Sequence, residues 1–199
     1  MFQLASLFRC AIDSTHNNYP HGRVRFLAFV WLWLRYNRRS FFDPELMPFL
    51  RIISRFLSRF WFRLLIHDFT VLDTPGRVLL IPNHVSWFDW WLVGLCVGED
   101  WRFVTSSARA ESHWLFRFVM VNRYTFPVDH ASPFAVKEMA NFLQGGGRLI
   151  LFAEGRISET GCLMKLFEGT GFLLHKTDAR LILCHLRNAH RLPWSRQPG

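Results

Sequence analysis

The sequence predicts an α/β fold, a mostly parallel central sheet flanked by helices and preceded by N-terminal amphipathic and hydrophobic helices. Three observations carry this expectation. From about residue 68 onward, short β-rich runs alternate with helix-like segments. Helix start and stop signals fall between the runs. Before residue 68 the apolar residues recur with helical rather than alternating spacing.

In the N-terminal region, the longest uncharged apolar run is FLAFVWLWL, residues 26 to 34. A simple spanning helix needs about 20 such residues, so this run reads as a core or interfacial helix. The next segment, ELMPFLRIISRFLSRFWFRLLI, places Arg51, Arg55, Arg59 and Arg63 at steps of four. Each step advances about 400° around a helix, so the arginines drift slowly along one side. Leu50, Ile53, Phe56, Leu57, Phe60 and Leu64 fill the rest. A basic amphipathic helix of this kind suits a membrane interface; a solvated helix face packed on the domain is the plainer alternative.

Strands are expected near Phe69 to Leu72, Arg77 to Ile81, Arg102 to Thr105, Tyr124 to Pro127, Leu149 to Phe152 and Arg180 to Cys184. Helices fit between them at Trp87 to Val97, Ser112 to Met120, Pro133 to Leu143 and Gly169 to Lys176. Ser132 before Pro133 reads as an N-cap followed by proline at the first helical position. QGGGR, residues 144 to 148, reads as a helix stop and turn. The expected organisation is a membrane-associating helical region over residues 1–67 and an α/β domain over 68–199.

Composition narrows the function classes. Hydrophobic residues make up 50% of the 199, with 21 Phe and 9 Trp, which excludes disorder. It also exceeds what a soluble core of this size hides, so some aromatics face lipid or a partner. The formal charge of +9 fits nucleic acid, an anionic membrane or an acidic partner. The arginines sit among Phe, Leu and Trp rather than on a polar surface, which favours the membrane. Cys10, Cys96, Cys162 and Cys184 are scattered, with no CxxC pair, so neither a zinc site nor a disulfide framework is expected and a reducing compartment fits. Asp13 and His16 near the start argue against a cleaved signal peptide.

Two loops carry candidate chemistry. IPNHVSWFDWW follows the strand-like RVLLI and sets His84 five positions before Asp89, with Asn83 and Ser86 beside them. An aspartate bonded to one imidazole nitrogen fixes the tautomer and leaves the other nitrogen to take a proton from a hydroxyl. As bare spacing the pair is weak, and a satisfied structural histidine is the default. Its position at a strand end, where α/β folds place their sites, shifts that default. The second loop, LFAEGRISETG, holds Glu154, Gly155, Arg156 and Ser158 after another buried-looking strand. A glycine beside an arginine makes a donor-rich turn able to bind a phosphate or other anion.

NHVSWFD resembles the NHxxxxD motif of the glycerolipid acyltransferases. FAEGRISETGCLMKLFEGTGFLLHKTDA and FPVDHASPFAVKEM are similar to one branch, the acyltransferase domain of the bifunctional 2-acylglycerophosphoethanolamine acyltransferase/acyl-ACP synthetase. The resemblance runs from about Arg63 to about Ala189. It implies a glycerol-3-phosphate-acyltransferase-like fold and transfer of a fatty acyl group from acyl-CoA or acyl-ACP to a lysophospholipid or glycerol phosphate. His84 would be the general base and Asp89 its orienter. Asn83, Glu154, Gly155, Arg156 and Ser158 would serve the acceptor, with Arg156 on its phosphate. No metal, no further cofactor and no nucleic acid are implied; the partner is a phospholipid membrane, met from the cytoplasmic face, as at a bacterial inner membrane. Ser86 has no GxSxG elbow around it, so a serine nucleophile is not expected.

The sequence departs from the family pattern at Ala153, His130 and Leu183, where a proline, an arginine and a proline are usual. The chain also ends at Gly199, short of most members, so a shortened C-terminus is expected. These departures support one rival reading, a catalytically inactive membrane-binding protein that keeps the fold. Nucleic-acid binding is a further rival.

Overall fold

The computed structural model describes residues 6–12, 52–53, 56, 64–107, 124–129, 132, 134–160 and 164–189. In chain order the elements are β1 (Ser6–Ile12), β2 (Leu64–His67), a 3-10 helix (Phe69–Asp73), β3 (Val78–Pro82), α1 (Asp89–Cys96), β4 (Trp101–Ser106), β5 (Thr125–Val128), α2 (Ala135–Gln144), β6 (Arg148–Ile150), α3 (Glu168–Thr177) and β7 (Arg180–Arg187). The strand order is β2-β1-β7-β3-β6-β4-β5. The chain divides into two units, Ala11–Leu65 and the remainder.

Strands β3 to β7 run parallel to one another, with Leu79 beside Leu149 and Leu181, and Leu80 beside Ile150 and Ile182. Paired residues of parallel strands share a face, and alternate residues take opposite faces. Leu79, Ile81 and Leu149 therefore meet α2 and α3 through Met139, Ala140, Leu143 and Leu173. On the other face, Phe103 lies beside Ile150 and its ring approaches Gly94, which places α1 there. Covered on both sides, β3 is buried at every position. Each leucine taken fully out of water contributes about 1.5–3 kcal/mol before entropy is counted.

The amino-terminal edge of the sheet is held by arginines. Arg77 donates to the Thr177 carbonyl at 2.9 Å, Arg180 to the Thr74 hydroxyl at 3.2 Å, and Arg148 to the Leu72 carbonyl at 3.1 Å. Arg148 also pairs with Asp100 at 3.0 Å and lies over the Trp101 ring. Part of the basic excess is thus structural.

Several expectations change. Ser6–Ile12 is a strand within the region read as helical. Phe69 to Leu72 is 3-10 helix, because Asp68 adopts a left-handed conformation (φ 58°) and turns the chain, while Leu72 is buried in the core. β6 stops at Ile150; Leu151 still donates to the Leu80 carbonyl at 2.9 Å before the chain turns. β7 runs on to Arg187. α2 begins at Ala135, and Ser132 accepts from the Phe134 N–H in a turn just ahead of it rather than capping the helix. The expected helix at 112–120, the run at 26–34 and most of the arginine-striped segment lie outside the described residues.

Candidate active site

Parallel strands send their connections out at one edge, so the loops after β3 and β6 emerge side by side although seventy residues separate them. Direct hydrogen bonds join them. The His84 N–H donates to Glu154 Oε1 at 3.0 Å, and the Ser158 N–H donates to the His84 carbonyl at 2.6 Å.

The His84 ring is set by two contacts. Its Nδ1 lies 2.9 Å from Asp89 Oδ2, and its face meets Phe152 at a centroid distance of 4.5 Å. A carboxylate only accepts, so Nδ1 carries the proton and Nε2 presents its lone pair. Among the described residues Nε2 has no hydrogen-bond partner, and the side chain is 19% exposed. That is the arrangement a general base requires.

Asp89 opens α1 and is fully buried. The turn from Val85 to Phe88 folds its carboxylate back, so that Oδ2 also accepts the Val85 N–H at 2.6 Å and the Ser86 N–H at 2.8 Å. Oδ1 has no partner among the described residues. Burial pushes the carboxyl above its ordinary value, opposed by the His84 bond and the two main-chain donors. Ser86 is buried and its hydroxyl accepts from the Phe88 N–H at 3.2 Å, a structural use.

The remaining candidates separate by direction. Asn83 is spent on β7: its Oδ1 accepts the Leu186 N–H at 2.7 Å and its Nδ2 donates to the Leu186 carbonyl at 3.2 Å. Glu154 is 6% exposed, and its second oxygen accepts the Met164 N–H at 3.1 Å. Ser158 is fully buried. Gly155 and Arg156 face outward. Gly155 takes φ 68°, and a Cβ there would run into the Phe167 ring, so the turn favours glycine. The structure thus brings His84, Asp89, Glu154 and Ser158 together, leaves Arg156 exposed on the same loop, and turns Asn83 away. Sequence reasoning missed Phe152 and Phe167; the only signal was an aromatic immediately before AEGR and another fifteen positions on.

The Acyltransferase family model matches residues 63–186, from the end of the arginine-striped segment to β7. The chain belongs to the Acyltransferase family. Both site loops and strands β3 to β6 fall inside the matched stretch, which ends within β7. The structure is also similar to that of the 1-acyl-sn-glycerophosphate (LPA) acyltransferase PlsC from Thermotoga maritima, with 15% identity, a TM-score of 0.50 and 83% of each chain covered. At that identity the likeness shows a shared α/β fold.

Proposed function

We propose that the protein transfers a fatty acyl group from an acyl thioester, acyl-CoA or acyl-ACP, to the hydroxyl of a lysophospholipid or glycerol phosphate in phospholipid synthesis or remodelling. The observation that carries this reading is the pairing of partly exposed His84 with buried Asp89 beside an exposed arginine. His84 Nε2 takes the hydroxyl proton as the oxygen attacks the thioester carbonyl carbon. The C–S bond breaks, and the imidazolium returns the proton to the leaving thiolate. Asp89 keeps the ring in the working tautomer and stabilises its cation. Arg156, for which no described residue provides a counter-charge, meets the acceptor phosphate in a planar fork. The resemblance of NHVSWFD to NHxxxxD supports the acyltransferase chemistry, and the similarity of the second loop to the lysophosphatidylethanolamine branch favours lysophospholipid reacylation. Neither a metal nor a bound cofactor enters this chemistry.

The protein is proposed to work as a peripheral or monotopic protein on the cytoplasmic face of a phospholipid membrane, with the N-terminal region as its anchor. Ile52 and Phe56, 63% and 71% exposed, support this, as do Phe134, Phe167 and Phe172, each more than half exposed. A panel of lysolipids and glycerol 3-phosphate, assayed with acyl-CoA and acyl-ACP, tests the reading. Turnover with at least one acceptor is expected, and His84→Ala is expected to lower it by about 10²–10⁴-fold. No turnover with any acceptor would replace the enzyme with an inactive membrane-binding member of the family.

A further inference from the structure

The family resemblance gives Glu154 to the acceptor, yet its carboxylate faces the protein's own main chain. We propose that Glu154 is a positioning residue that holds the His84 peptide, and that acceptor contact from this loop falls to Arg156. The proposal rests on the reading of His84 as the base.

Both oxygens of Glu154 are occupied, one by the His84 N–H at 3.0 Å and one by the Met164 N–H at 3.1 Å. With 6% exposure, little of the side chain is left for a ligand. A phosphate drawn to it would meet a like charge and be repelled. The His84 carbonyl, in turn, accepts the Ser158 N–H at 2.6 Å. Both polar groups of the His84 main chain are therefore gripped by the loop after β6, while Asp89 grips the ring. Main chain and side chain are held from different elements, which leaves the imidazole little freedom to drift from its line to the hydroxyl. Burial divides the loop in the same way. Glu154, Ile157 and Ser158 are buried, and Glu154 and Ser158 bond the His84 peptide; Gly155 and Arg156 are exposed. A glutamine at 154 keeps one acceptor oxygen but turns an N–H₂ toward the second donor, so one of the two bonds must be lost.

The test uses the full chain, with 1-acylglycerol 3-phosphate as acceptor and acyl-CoA as donor. Glu154→Gln is expected to lower kcat on the order of 10²-fold, the size of a misplacement near 1 Å, and to change the acceptor KM by less than about threefold. Glu154→Asp keeps the charge but withdraws it by one methylene, and is also expected to lose kcat. Arg156→Ala is expected to raise the acceptor KM. An acceptor KM raised by about tenfold or more in Glu154→Gln, or full kcat in Glu154→Asp, overturns the proposal. Amide resonances of ¹⁵N-labelled protein give a readout that needs no turnover. Those of His84 and Met164 are expected to move in Glu154→Gln and to stay in Arg156→Ala, and an unmoved His84 amide also overturns it. If the wild type turns over no acceptor, the acyltransferase reading fails while the amide readout still decides this one.

Discussion

Asp89 uses its two oxygens unequally: Oδ2 takes three N–H donors and Oδ1 none among the described residues. An asparagine can put its carbonyl oxygen in the first place and its N–H₂ in the second, keeping every bond that shapes the turn. Asp89→Asn is therefore expected to fold, as read by circular dichroism and thermal melting. The amide cannot stabilise the imidazolium, so turnover should fall by about 10²–10⁴-fold; unchanged rates would remove Asp89 from the mechanism. Stability should also respond to pH with a defined sign. Burial raises the Asp89 carboxyl above its ordinary 3.8, so the native state holds this proton more tightly than the unfolded chain. The resulting stabilisation is complete below 3.8 and is lost as pH rises through the native value. Relative to wild type, Asp89→Asn should gain melting temperature as pH increases from 4 towards 7, and a relative loss over that interval would reverse the assignment. At this scale the sequence spoke clearly about His84 and Asp89, because a five-residue spacing closes within one turn. It was silent on the direction of Glu154 and Asn83, whose partners lie 70 and 103 positions away.

At the scale of elements, the second site loop depends on one strained-looking turn that glycine relieves. A non-glycine residue at Gly155 costs about 1–2 kcal/mol for its left-handed backbone alone. The added methyl would also run into the Phe167 ring. Gly155→Ala is expected to lower unfolding free energy in denaturant titration by at least the backbone amount. Adding Phe167→Ala should recover the steric part and leave the backbone part, after allowing for the cost of Phe167→Ala alone. A single variant as stable as wild type would contradict the turn. The parallel strands from β3 onward were legible because covered strands are short and apolar. β1 and the 3-10 helix were not. SLFRCAI carries no alternation to mark a strand, and FTVL suits either a strand or a turn until Asp68 reverses the chain.

For the whole molecule, charge and apolar exposure point the same way. The chain carries +9, and Ile52, Ile53 and Phe56 are exposed where the arginine stripe runs. Among the described residues no helix is long and apolar enough to cross a membrane. Cosedimentation with vesicles should show tighter binding to phosphatidylglycerol-containing than to purely zwitterionic bilayers. Raising salt towards 1 M, where screening acts within about 3 Å, should weaken it. Equal binding to both vesicle types, or retention on heparin with no vesicle preference, would send the basic surface to another partner.

What the sequence determined by itself was the fold class, which follows from local periodicity, and the pairing of His84 with Asp89, whose five-residue spacing closes within one turn. Only the tertiary structure decided what the residues around them do. β3 and β6 are neighbours in the sheet although β4 and β5 come between them in the chain. That adjacency turns a glutamate and a serine from the second loop onto the peptide of the histidine in the first. Hydrogen bonds between main chain and distant side chains depend on which strands touch, and no pattern along the chain encodes that.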